Sequence, residues 1–138
     1  MVKAVFDTNI FVSAAIATGP CNKLLQAAEK RKFTLFISEE ILREVEETLH
    51  DPEFRFNPRQ IRIYLRKIRN IVKIVKNPQI LRIIKDDPGD DKILGCAVTA
   101  KADYLVTGDH HLLDIKKFKQ FKIMKVKEFM EVLERMQK

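Results

Sequence analysis

Residues 90–111 read DDKILGCAVTAKADYLVTGDHH. Two aspartates open a nearly all-apolar stretch, which the pattern assigns to a helix over 90–102. DYLVT then reads as a β-strand, and an aspartate, Asp109, follows just past its end. An acid thus stands at the start of a helix and another at the end of a strand. Working outward, the same arrangement recurs at the N-terminus. VKAVFDTN is β-rich over residues 2–7 and stops at Asp7. FTLFI is a second strand and FKIMKV another. Pro20 starts a helix reaching about Lys32, with Leu24, Leu25 and Ala28 as its buried face. Ser38 caps a helix whose first turn carries Glu39 and Glu40. DPEFRFNP is a loop, and Pro58 opens a helix to about Asn70. IVKIVK is a short extended piece, Ile80–Lys85 a helix-forming stretch, and DDPGDD a turn. VKEFMEVLERMQK is the last helix. Strands alternating with helices predict a three-layer α/β/α fold. Its central parallel sheet has four to five strands, in one domain over residues 1–138.

In such sheets ligands bind beyond the carboxyl ends of the strands. Asp7 and Asp109 lie at two such ends, and Asp91 opens a helix at the same edge. Glu44 lies in ISEEILREVEETL. At about 100° per residue, Ile41, Leu42, Val45 and Leu49 form one apolar stripe with Glu44 at one border. Glu46 borders the other side, and Glu47 points away. Four converging carboxylates repel one another unless a cation joins them, which is how a site for hard divalent metals is built. His110 and His111 are not read as ligands, because no second His or Cys cluster has ligand spacing.

A chain of 138 residues suits one domain and buries about two-thirds of its unfolded surface. It needs no disulfide or structural zinc. Cys21 and Cys96 are far apart and form no CxxC pair, which fits buried thiols in a reducing compartment. The early apolar run IFVSAAIA is too short to span a membrane and follows an aspartate rather than a basic region. A cytoplasmic protein is expected.

The net charge is +7 and it is segregated. Between Phe54 and Lys85 there are ten Lys or Arg and no Asp or Glu, which leaves the rest of the chain at −3. A second run from Lys116 to Lys127 has six lysines and no acid. Such segregation points to a polyanion, most often nucleic acid. In the helix from Pro58, Ile61, Tyr64, Leu65, Ile68 and Val72 form the packing face. Arg59, Arg62, Arg66, Arg69 and Lys73 align on the other side, suited to phosphate oxygens. Phe54 and Phe56 in the preceding loop are suited either to stack on bases or, the favoured reading, to anchor the loop to the core.

These residues resemble the PIN domain family. VFDTNIFVSA is similar to its first acidic motif, and SEEILREVEETL resembles the second, which implies Glu44 as the acid. DDPGDDKILGCAVTAKADYLVTGDHHLL resembles the third and fourth. The family places a threonine sixteen and an aspartate eighteen residues after its third acid. From Asp91 this reaches Thr107 and Asp109, and so selects Asp91 over Asp90. KIMKVKEFMEVL resembles the closing strand and helix. The nearest subgroup is the toxins of toxin–antitoxin pairs that resemble virulence-associated protein C. The long basic segment departs from the minimal toxin pattern.

The resemblance implies a PIN-like fold and a Mg²⁺- or Mn²⁺-dependent endoribonuclease. It implies Asp7, Glu44, Asp91 and Asp109 as catalytic metal ligands, with Thr8, Asn9 and Thr107 supporting them. Arg59, Arg62, Arg66 and Arg69 are the expected RNA-binding residues. Expected partners are RNA, a small antitoxin protein and a second copy. The homodimer is expected because Phe129, Met130 and Val132 exceed what one packed face of the last helix needs. Two alternatives are a non-catalytic RNA-binding PIN module and a structure-specific DNA nuclease. A haloacid-dehalogenase phosphatase also begins with a strand and Asp-Thr. Its chemistry wants a second acid where Asn9 stands.

Overall fold

The computed structural model describes residues 1–82 and 88–136. Six strands form one sheet: β1 (Lys3–Phe6), β2 (Thr34–Ser38), β3 (Lys73–Val75), β4 (Tyr104–Val106), β5 (Lys117–Phe118) and β6 (Phe121–Met124). Their order is β3-β2-β1-β4-β6-β5. The first five in that order run parallel, and β5 folds back antiparallel on β6 as a short edge. The helices are α1 (Thr8–Ile16), α2 (Pro20–Glu29), α3 (Glu39–Leu49), α4 (Pro58–Ile71), α5 (Pro88–Ala100), α6 (His110–Ile115) and α7 (Val126–Met136). This is the expected α/β/α arrangement with helices flanking a mostly parallel sheet.

The strand order fixes where a ligand can sit. From β1 the chain moves outward to β2 and β3, then crosses back to β4 on the other side of β1. Right-handed crossovers put these two excursions on opposite faces. The strand order therefore reverses between β1 and β4, and their carboxyl ends open a crevice there.

Both sheet faces are covered, so the central strands are apolar without alternation. Ala4, Val5 and Phe6 are all fully buried. Phe6 meets Phe11, Phe33 and Phe129 at ring-centroid separations of 5.9, 5.8 and 6.0 Å. Phe129 also stands edge-on to Phe33 and touches Tyr104. Burying one such ring contributes about 2–3 kcal/mol. Phe129 and Val132 are thus spent inside the chain, against the expectation that they are surplus to its own packing. α5 packs across β1, β2, β3 and β4. Gly95 in α5 allows the backbone of Gln79 to cross close by: a Cβ there would collide with the Gln79 carbonyl oxygen. Gln79 N–H is held in place by the Thr99 hydroxyl at 2.8 Å.

Some elements differ from expectation. α2 stops at Glu29 rather than near Lys32. Arg31 turns left-handed at φ 59°, and the Arg31 and Lys32 amides donate to Ala28 and Ala27, closing the helix without a glycine. α1, α6 and β5 were not anticipated. The DPEFRFNP loop contains a single 3₁₀ turn, Pro52–Phe54. Its Phe54 and Phe56 are half-buried and packed against the core. Ile80–Arg82 has no regular structure, and the rest of that expected helix lies outside the described residues, as do Asp86 and Asp87 of the expected DDPGDD turn. The last four residues of that turn, Pro88–Asp91, instead form the first turn of α5, which therefore starts two residues before the expected 90. Among the described residues, no helix is long and apolar enough to cross a membrane.

Candidate metal centre

The crevice between β1 and β4 is built by the two residues that follow those strands. Asp7 extends the ladder, its N–H donating to the Val106 carbonyl at 3.2 Å. Thr107 does the same on the other side of β4, donating to the Met124 carbonyl at 3.0 Å. Strand pairing aligns Phe6 with Val106, so Asp7 and Thr107 are neighbours across the seam. The fully buried Thr107 hydroxyl donates to Asp7 Oδ2 and accepts the Asp109 N–H at 3.0 Å.

Both strand-end aspartates also cap helices. Asp7 Oδ1 accepts from Ile10 N–H at 3.2 Å and starts α1. Asp109 Oδ1 accepts from His111 N–H at 2.8 Å and starts α6. Capping commits one oxygen of each carboxylate to one donor, and each oxygen keeps a further lone pair. Asp7 is only 7% exposed. Its pKa is raised above the usual 3.8, chiefly by burial and further by the Asp109 charge, while the Thr107 hydroxyl and backbone amides oppose the rise.

Glu44 reaches this edge from α3. Its Oε2 accepts from the Thr8 hydroxyl at 3.1 Å, and Thr8 directly follows Asp7. Glu44 rather than Glu46 therefore faces the end of β1. Ile41, Leu42, Val45 and Leu49 are buried beneath it as the helical stripe requires.

α5 supplies two aspartates in its first turn, both buried. Asp90, Asp109 and His111 each offer a ligand atom, and these atoms lie within 4.8 Å of one another. No other such trio occurs among the described residues, and Asp7, Glu44 and Asp91 are not part of it. Two members were not singled out from sequence. The family spacing selects Asp91 over Asp90, and the absence of a second His or Cys cluster speaks against His111, yet the structure brings Asp90 and His111 to Asp109. His111 Nδ1 stands 3.8 Å from Asp109 Oδ1, because the cap turns the chain back on itself. An aspartate followed two residues later by histidine at a helix start is the signal that could have found it.

A cleft of about 450 Å³ has Asp7, Asn9, Asp109, His110 and His111 in its lining, whereas Glu44, Asp90 and Asp91 are not among its lining residues. Cys21 also borders it. Burial first, and the Asp7 charge second, push its thiol pKa up, which disfavours the thiolate. Carboxylate oxygens with one imidazole make a donor set that fits a divalent cation.

The arginine stripe lies on α4. Arg59, Arg62 and Arg66 are exposed, and among the described residues no carboxylate pairs with them. Arg69 differs. Its guanidinium grips both oxygens of Glu39 on α3 at 2.8 and 2.9 Å. Tyr64, on the opposite side of α4, donates to the Phe11 carbonyl at 2.5 Å and ties α4 to α1.

The family model of the PIN domain matches residues 3–111, from β1 into α6. That span holds every acid described above and His111. An uncharacterized protein of Methanocaldococcus jannaschii, MJ1680, is similar at 28% identity, with 97% of this chain and 93% of that one covered. PIN domains are typically metal-dependent nucleases. A parallel sheet with acids at its reversal point agrees with the match over most of the chain, and the protein belongs to the PIN domain family.

Proposed function

We propose that the chain is a divalent-metal-dependent endoribonuclease that hydrolyses phosphodiester bonds in RNA. The observation that carries this reading is the linkage at the sheet's reversal point. Asp7, Thr107 and Asp109 form one hydrogen-bonded unit there, and Asp90 and His111 stand beside Asp109. Asp7, Glu44, Asp109 and a first-turn aspartate of α5 hold Mg²⁺ or Mn²⁺. Of the α5 pair, Asp90 has the geometry in its favour and Asp91 the family spacing. When bound, such a cation polarises the scissile phosphate, activates water and neutralises charge on the leaving oxygen.

The chain's own groups do the rest. Thr107 fixes Asp7 through one oxygen and leaves its remaining lone pairs toward the cleft. Thr8 fixes Glu44 in the same way. Asn9, exposed at the cleft, is placed to donate to a phosphate oxygen. Arg59, Arg62 and Arg66 offer planar forks to the backbone of a strand arriving from the α4 side. Arg69 contributes less, since Glu39 already occupies its fork. The segregated positive charge supports RNA as the polyanion. The resemblance to toxins supports a role in a toxin–antitoxin pair, silenced by a small protein partner.

The test is cleavage of a labelled single-stranded RNA and of a flap DNA, with Mg²⁺, Mn²⁺ or chelator. RNA cleavage that needs metal and is lost in Asp7→Asn is expected. Cleavage of the flap DNA alone would make this a structure-specific DNA nuclease. RNA binding without cleavage under any metal would make it a binding module.

A further inference from the structure

Lys92 follows Asp90 and Asp91 in α5, and its ammonium reaches across to α3. It lies 2.9 Å from Glu40 Oε1 and 3.5 Å from Glu44 Oε1. Glu40 and Glu44 are four residues apart on one helix, so they share a face, and like charges so placed repel. The ammonium stands against both. The other oxygen of Glu44 accepts from Thr8 at 3.1 Å. Glu44 is therefore held from two sides: by a hydroxyl leading from β1 and by a cation leading from α5. The two holds differ in kind. Thr8 leaves the charge of Glu44 intact, whereas Lys92 neutralises it locally. A carboxylate oxygen that carries an ammonium must release or share it before it binds a second cation. Release is open to Lys92, because its side chain is 41% exposed on a flexible stem. Glu40 is the closer partner and draws the ammonium away from Glu44.

We propose that Lys92 is a positioning residue acting through Glu44: it is the counter-ion of Glu40 and Glu44 in the metal-free protein, and it competes with the divalent cation for Glu44. The inference rests on Glu44 being a cation ligand, as proposed above.

Mn²⁺ affinity, measured by calorimetry, and melting temperature with chelator or saturating Mn²⁺ test it together. The proteins are wild type, Lys92→Met, Lys92→Arg and Glu44→Gln. Lys92→Met is expected to bind Mn²⁺ about threefold to tenfold more tightly, the scale of one exposed charge acting on a nearby cation. In chelator it melts below wild type, because Glu40 and Glu44 face each other bare. The gap closes at saturating Mn²⁺. Lys92→Arg restores wild-type affinity. A lysine with a merely structural role would lower melting in both conditions and leave Mn²⁺ affinity unchanged or weaker, which overturns the proposal. Glu44→Gln separates the two layers. Wild-type Mn²⁺ affinity in Glu44→Gln removes Glu44 from the ligands, and the proposal goes with it. Weakened binding there, with no gain in Lys92→Met, rejects only the role of Lys92.

Discussion

Thr107 donates its hydroxyl to Asp7, which lies 100 positions earlier in the chain, and the same oxygen accepts the amide of Asp109. One side chain thereby sets the position of two acids on different strands. It also opposes the effect of burial on Asp7, because a hydrogen bond to a carboxylate favours its charged form.

Asp7→Asn should stabilise the metal-free protein at neutral pH and abolish metal-dependent cleavage. Burial raises the folded-state pKa of Asp7 above 3.8. The protonated form is therefore favoured by folding. Its contribution to stability is complete below pH 3.8 and is lost as pH rises through the folded-state value. Asparagine keeps the cap of α1 and carries no charge. In chelator the variant should melt above wild type at pH 7 and level with it near pH 3. Metal should raise only the wild-type melting temperature. A variant that melts below wild type in chelator at pH 7 contradicts this.

The two first-turn aspartates of α5 can be separated by substitution. Asp90→Asn should lower turnover by about 100-fold or more, the scale for losing a group that stabilises transition-state charge. His111→Asn should weaken Mn²⁺ more than Mg²⁺, since imidazole suits the softer ion better. If Asp91→Asn alone abolishes cleavage and Asp90→Asn retains it, the family spacing outranks the observed proximity of Asp90 to Asp109.

The arginines of α4 should act on RNA binding through phosphates. On single strands each contact lowers log affinity with log salt by a slope of about 0.7. Arg62→Gln combined with Arg66→Gln should flatten the slope by roughly 1 to 1.5 units, equally for unrelated sequences. Arg69→Gln should change it less, because Glu39 holds that guanidinium. An unaltered slope in the double variant, read by filter binding, would mean a solvated face.

Gly95→Ala should destabilise the fold by about 1–3 kcal/mol, the range for overpacking a tight site. Alanine in an ordinary helix interior would instead stabilise by up to about 1 kcal/mol. The crossing of the Gln79 backbone decides the sign. Urea denaturation with an unchanged slope and a lower midpoint is the expected result.

Strand ends were readable because apolar β-rich runs stop at acids, as at Asp7 and Asp109. Helical geometry placed Glu44 and Glu46 at the two borders of the buried stripe, and the resemblance to the second acidic motif chose Glu44, which the structure sets against Thr8. α1 was not readable: Ile10, Phe11, Val12 and Ala14 are buried on several sides, which erases the 3.6-residue period. Asp90 and Asp91 are about 100° apart on the same turn, and only the rotation of α5 against the sheet distinguishes them. The alignment of the arginines was visible, but Glu39, which engages Arg69, comes from another helix 30 residues away. The net count of charges carries no trace of such a pairing.

The Thr107–Asp7 bond joins residues 100 positions apart, and β4, which brings it about, inserts between β1 and β6. β1, β2 and β3 can pair as soon as residue 75 is available, yet at that point Asp7 has no partner across the seam. Long-range parallel pairing is the slow part of folding. During synthesis, a growing chain therefore carries Asp7 and Glu44 for a long interval without Asp90, Thr107 or Asp109. The seam that carries the candidate site thus closes only after residue 109 has been made, well after the first three strands can pair.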